Sequence, residues 1–274
     1  MKIDRLRGGT KKGVYRLHLD DGSSAILYRW SPEENYWPEQ QEGQDLEAFV
    51  SRQALLASLG VRVAKVYYVD RDENAVLAED VRGEKLEELL GTGAAVPALT
   101  RLAEAIGKMH AHRGPVERPC EQIVLERALA DLAEAARRVQ RIEWAHAHLE
   151  ARLRELFAAV TPRDEHGYIH GELGPDHVIV NDEGEPVLID IEGAHFFDVE
   201  WEHVFLEMRF HEHYDQLCAP GLDPARLAFY RLAMHLSLVA GPLRLLDGDF
   251  PDRAFMLGIA EHHTEQALRY DGHF

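Results

Sequence analysis

The stretch that most limits the fold is Tyr168-Ile-His-Gly-Glu-Leu-Gly-Pro-Asp-His-Val-Ile-Val180, followed after a turn by Val187-Leu-Ile-Asp-Ile-Glu-Gly193. Two short apolar runs, Val178 to Val180 and Pro186 to Ile189, flank Asn181-Asp182-Glu183-Gly184, whose residue types favour a tight reversal. A hairpin here brings His170, Glu172, His177 and Asp190 toward one end of a strand pair. Four such side chains suit metal-assisted chemistry or proton transfer, and by spacing alone they serve equally well as a polar surface turn.

The surroundings are of two kinds. Early in the chain, Val14 to Leu19 and Ser24 to Trp30 alternate in period two around Asp20-Asp21-Gly22-Ser23, which predicts an antiparallel hairpin behind a glycine-containing entry. Residues 44 to 59 have helical spacing and end at Gly60, and short strand-like runs follow at Val61 to Asp70 and Ala75 to Glu79. After Gly83 the pattern is helical. Leu99, Leu102, Ile106 and Met109 form one stripe, Leu125 to Val139 a second and Leu149 to Val160 a third. The tail from Pro224 is helical again, with a break predicted at Gly241-Pro242. These stripes are core faces. The expected architecture is α+β: a strand-rich lobe over residues 1–82 and a mostly helical lobe over residues 83–274, with a ligand in the cleft between them.

Charge narrows the partners. Of the 274 residues, 30 are Lys or Arg and 48 are Asp or Glu, a formal net charge of −18 that repels phosphate backbones and anionic lipid. Neither nucleic acid nor a membrane is an expected partner. Cys120 and Cys218 stand alone, and the amino terminus has no apolar signal core, so the expected location is the cytoplasm. The histidines of His211-Glu212-His213 and His262-His263 lack the i,i+4 spacing of helical zinc sites.

His170-Gly171-Glu172, four residues, His177, then Leu188-Ile189-Asp190 resembles the catalytic segment of the aminoglycoside phosphotransferase and protein-kinase-like superfamily, usually His-Gly-Asp, four residues, Asn, then Ile-Asp. Similar elements occur in order along the chain. Arg7 to Arg16 resembles the glycine loop, Leu77 to Gly83 the interlobe hinge, and Leu102 to His110 the helix that ends in a Met-His pair. Asp198 and Glu202 stand where the family has two downstream acids.

The resemblance implies a bilobal protein-kinase-like fold and transfer of a γ-phosphoryl group from ATP, or alternatively GTP, to a hydroxyl of a small molecule. It implies that Gly8, Gly9, Thr10, Lys11, Lys12 and Gly13 cover the phosphates and that the backbone at Asp80 and Val81 meets the base. By the same resemblance, Asp190 and His177 hold Mg²⁺, or Mn²⁺ given the imidazole, and Glu172 orients the acceptor hydroxyl. His170, grouped with Glu172 at the catalytic loop, bonds the backbone there.

Three positions depart from the family pattern: Glu172 for Asp, His177 for Asn, and no lysine on the third strand. Arg29, on the face of Leu27, is the expected stand-in, with Glu47 as its helix partner. Lys11 and Lys12 offer compensation from the loop. Eleven acids and one base between residues 182 and 215 suit a cationic acceptor such as an aminoglycoside, and serve as well as an acidic face that keeps the protein soluble. The three departures also support an alternative, a catalytically inactive kinase-like protein that binds a nucleotide or metabolite.

Overall fold

The computed structural model describes residues 2–6, 10–37 and 45–270. In chain order the elements are β1 (Lys2–Arg5), β2 (Gly13–His18), β3 (Ser24–Arg29), α1 (Leu46–Ser58), β4 (Val66–Asp70), β5 (Ala75–Glu79), β6 (Gly83–Lys85), α2 (Leu86–Leu89), α3 (Ala95–Ala111) and β7 (Arg113–Gly114). There follow α4 (Cys120–Arg138), α5 (Gln140–Ala158), β8 (His166–Ile169), β9 (Val178–Asn181), β10 (Pro186–Leu188), β11 (His195–Phe197), α6 (Val199–Phe210), α7 (Pro224–Leu245) and α8 (Arg253–Arg269). Contacts gather the chain into two compact units, one of residues 1–112, 170–195 and 209–218, the other of residues 113–169, 196–208 and 219–274.

The first unit is built on an antiparallel five-stranded sheet in the order β1-β2-β3-β5-β4. The Asp20–Ser23 turn sets the β2–β3 register, pairing Gly13 with Arg29 and His18 with Ser24. Asp45 caps α1, its carboxylate accepting the Ala48 amide at 2.9 Å, and the helix buries Phe49 among Tyr28 and Trp30. A second sheet has the order β10-β9-β6. It forms because β6, the segment just past the expected hinge, pairs with β9 from Gly83↔Asn181 to Lys85↔Ile179.

That pairing requires Gly83. Its φ is +148° and an added Cβ would lie 2.0 Å from the Val180 carbonyl oxygen. The Leu188 amide donates to the Arg62 carbonyl at 2.9 Å, and α3 packs on β10. Residues 83–112 and the catalytic hairpin therefore group with the N-terminal sheet, so the contact division differs from the boundary expected at residue 82.

In the second unit α4, α5, α7 and α8 pack on one another around a core that includes Val124, Leu132, Leu153, Phe229, Leu232 and Leu236. The break expected at Gly241-Pro242 does not occur, and α7 runs through Pro242 to Leu245. Proline this close to the helix end removes a single hydrogen bond to the preceding turn, and its ring is buried. No helix among the described residues is long and apolar enough to cross a membrane.

Candidate active site

The predicted catalytic residues come together within the first unit. His170 is fully buried, and its Nε2 donates to the Ile189 carbonyl at 3.0 Å, which ties the loop before β9 to the end of β10. That bond holds the backbone in place and directs the imidazole away from solvent, so His170 is a positioning residue. Gly171, at φ +94°, brings the chain against Gly193, whose carbonyl oxygen would lie 3.0 Å from an added Cβ. Glu172 then projects outward and is exposed.

His177 makes a short bond from Nδ1 to the Glu172 carbonyl at 2.7 Å. A carbonyl only accepts, so Nδ1 carries a proton, and Nε2 faces Asp190 Oδ2 at 3.6 Å and Asp176 Oδ2 at 3.7 Å. Asp176 is itself held by Arg209 at 2.6 Å. In the neutral ring that bond selects the tautomer with a free Nε2, the one a metal-ligating histidine uses.

Asp190 has left-handed backbone dihedrals, φ 60° and ψ 42°, an uncommon conformation for a non-glycine residue and one concentrated at functional sites. It turns the carboxylate off the end of β10. Lys12 Nζ meets Asp190 Oδ1 at 2.6 Å and also contacts Glu192 Oε1. Lys12 itself is 6% exposed. The Lys12 ammonium, against the opposing effect of burial, holds Asp190 well below the usual carboxylate range. Burial works against the charge on Lys12, yet Asp190 and Glu192 together keep its pKa above that of an ordinary lysine. Burial raises Glu192, with Lys12 opposing.

Lys12, and not Arg29, is the cation that pairs with Asp190. On β3, Ile26 and Tyr28 line the cavity that also holds Asp190, whereas Leu27 and Arg29 line a different cavity with Tyr68 and Leu77. Adjacent strand residues point to opposite faces, so the face shared by Leu27 and Arg29 is the wrong one for a phosphate-binding role. Tyr28 stands at the position facing Asp190, and Lys12 Nζ lies 5.3 Å from its ring centroid. The expectation for Glu47 is corrected too. Glu47 is an exposed partner of Arg71 at 2.6 Å, and α1 instead reaches the site through Arg52, whose guanidinium donates to the Glu192 carbonyl. Sequence reasoning missed Glu192, although it lies two residues beyond Asp190; only the tertiary contact identifies it as the second acid on Lys12.

Two cavities share Lys12 and Asp190. The larger, about 320 Å³, has apolar walls from Val14, Ile26, Ala64, Val81, Ile179 and Ile189, and it includes Asp80 and His177. Asp80 is held by Arg16 at 2.8 Å. The smaller, about 40 Å³, is lined by Thr10, Lys11, Lys12, Glu172, Asp190 and Glu192. Burial lowers the pKa of Lys11, and Glu172 opposes that shift. Thr10 Oγ1 accepts from the Trp37 indole at 2.9 Å, which fastens the loop from outside. Gly13 packs where an added Cβ would lie 2.7 Å from the Tyr15 ring. Gly8 and Gly9 lie outside the described residues.

The run of acids between residues 182 and 215 is less of an open acidic surface than its composition suggests. Asp190 and Glu192 engage Lys12, Asp198 engages Arg226, Glu200 engages Arg163 at 3.0 Å, and Glu207 engages Arg231.

An antiparallel N-terminal sheet, a hinge, a helical remainder and an aspartate at the end of a late hairpin define a kinase-like fold. Solved structures agree with that class. A thermostable mutant of aminoglycoside phosphotransferase APH(4)-Ia matches with a TM-score of 0.67 and 19% identity, covering 98% of this chain and 96% of its own. The choline kinase LicA from Streptococcus pneumoniae matches at 0.64 and 15%, covering 97% and 94%. An ethanolamine kinase from Plasmodium vivax matches at 0.60 and 10%, covering 96% and 81%. At these identities the likeness establishes the fold. No curated protein matches the sequence. The family model described as phosphotransferase enzyme family matches residues 2–237, and the chain belongs to that family.

Proposed function

We propose that this phosphotransferase moves the γ-phosphoryl group of ATP to a hydroxyl of a small cationic molecule of the amino-alcohol or amino-sugar kind. The observation that carries the reading is the convergence of Lys12, Asp190, His177 and Glu172 beside an apolar slot of about 320 Å³, a volume that suits a small ligand. Its walls suit a purine base, with the backbone of Asp80 and Val81 at the edge of the base. Similar structures include one described as a ternary complex of the APH(4)-Ia mutant with ADP and hygromycin B, and others named choline and ethanolamine kinases, which favours a hydroxylated cation as acceptor.

Each residue has a distinct task. Lys12 moves its charge from Asp190 to the phosphates when nucleotide enters, and Lys11 adds a second cation beside Glu172. Glu172 accepts a hydrogen bond from the acceptor hydroxyl, aligns its oxygen with the phosphorus and takes its proton as the bond forms. His170 keeps the loop in register. Asp190 and His177 fit a divalent cation, since they present a carboxylate oxygen and an imidazole nitrogen whose tautomer is already fixed. When bound, the cation supplies charge neutralisation on the transferring phosphoryl group, and the nitrogen donor favours Mn²⁺ over Mg²⁺.

The test is acceptor-dependent ADP release from MgATP and MnATP across a panel of amino alcohols and aminoglycosides. Glu172→Gln is expected to lower turnover by about 10²-fold or more while ATP affinity stays within about threefold. Saturable ATP binding with no turnover on any acceptor would favour a nucleotide-binding protein, and failure to bind ATP would remove the nucleotide assignment.

A further inference from the structure

The geometry of the helical unit points to a buried zinc site, separate from the nucleotide site, formed by Cys120, His166 and Asp198. Cys120 opens α4, His166 opens β8, and Asp198 directly precedes α6. One donor atom from each lies within 4.8 Å of the other two. All three are inside the protein, with Cys120 and Asp198 at 0% exposure and His166 at 2%.

Two of the three present unused donor atoms. Neither ring nitrogen of His166 makes a hydrogen bond, and Asp198 Oδ1 makes none. Their closest approach, His166 Nε2 to Asp198 Oδ1 at 3.7 Å, is too long for one. A buried imidazole with both nitrogens unsatisfied is expensive, and a metal ion on one of them removes part of that expense. Asp198 Oδ2, by contrast, is used by the Arg226 guanidinium and the Tyr230 hydroxyl, which fixes the carboxylate and leaves Oδ1 between His166 Nε2 and Arg163 Nε, each at 3.7 Å.

Charge around the cluster leads to the same conclusion. The carboxylates of Asp198, Glu121, Glu200 and Asp223 surround two guanidinium groups, Arg226 and Arg163. The carboxylates outnumber the guanidinium groups by two in a largely buried network, a surplus that favours a cation. The Cys120 thiol gives up its proton to solvent on coordination, as a zinc-bound sulfur does. Sulfur, nitrogen and oxygen donors together suit Zn²⁺ better than Mg²⁺ or Ca²⁺. Bound there, the ion fastens α4, β8 and the approach to α6 at one point.

Cobalt(II) is the probe, because its thiolate complexes absorb in the near ultraviolet. The full chain with Cys218→Ser keeps Cys120 as its single sulfhydryl, and the nucleotide site contributes no sulfur. We expect about one equivalent of Co²⁺ to give the thiolate band, Zn²⁺ to displace it, and Zn²⁺ to raise the melting temperature. Adding Cys120→Ser or His166→Gln should abolish the band. No thiolate absorption at saturating Co²⁺ in the Cys218→Ser chain would overturn the proposal, as would a band that survives Cys120→Ser. The Cys218→Ser result decides the matter by itself if the site variants do not fold, and neither outcome depends on phosphotransfer.

Discussion

At the scale of single residues, the site relocates a charge. Tyr28 occupies the strand position that faces Asp190, and the amine arrives from Lys12 in the loop ahead of β2. Lys12→Ala is therefore expected to lower kcat/KM for ATP by about 10² to 10³, while Arg29→Ala leaves it within about twofold; steady-state kinetics on both variants is the check. The His-Gly-Glu spacing and Asp190 were legible because they lie close together in sequence. Lys12 and Glu192 were not legible as a pair, since their partnership spans the fold and neither position carries a residue the family pattern requires.

At the scale of elements, the β2–β3 hairpin and the amphipathic helices were readable from period and turn chemistry. β1 and β6 were not, because Lys2-Ile3-Asp4-Arg5 and Gly83-Glu84-Lys85 are short and largely exposed and gain their strand character only from a partner. The contact between α7 and α8 has a pH dependence of its own. His235 on α7 and His263 on α8 approach Nδ1 to Nδ1 at 2.9 Å, with His262 and Arg231 nearby. Burial, then the neighbouring positive groups, pushes His235 down to about 3, and burial with His262 pushes His263 down to about 4.

Both folded-state values lie below the ordinary 6.5 of histidine, so the unfolded chain takes up protons first as the pH falls. This contribution to stability is whole above about pH 6.5 and is lost as the pH falls toward 4, by on the order of 2 kcal/mol for each histidine at pH 5. Denaturant unfolding at pH 7 and pH 5 should show the loss, and His263→Phe should flatten it. An unchanged slope in that variant would remove the pair as its source.

At the scale of the whole molecule, the net charge of −18 acts on encounter rather than on fold. For a cationic acceptor, KM should rise severalfold between about 20 and 300 mM salt, as screening shortens the reach of the field, while kcat changes little. An acceptor KM that does not respond to salt would argue against a charged acceptor. The kinase-like class was legible at this scale because its motifs recur in order along the chain. The grouping of the 83–112 segment with the N-terminal sheet was not, because it depends on the pairing of β6 with β9.

The displaced lysine bears on how such chains are sorted. A rule that separates working kinase-like proteins from degenerate ones by a third-strand lysine would find none in Ser24–Arg29 and classify this chain as a pseudoenzyme. The amine is nonetheless present, 2.6 Å from the aspartate it should accompany, on a segment such a rule never inspects. On the role proposed for Lys12, inventories of silent relatives drawn up from that one column would contain proteins whose chemistry has changed address.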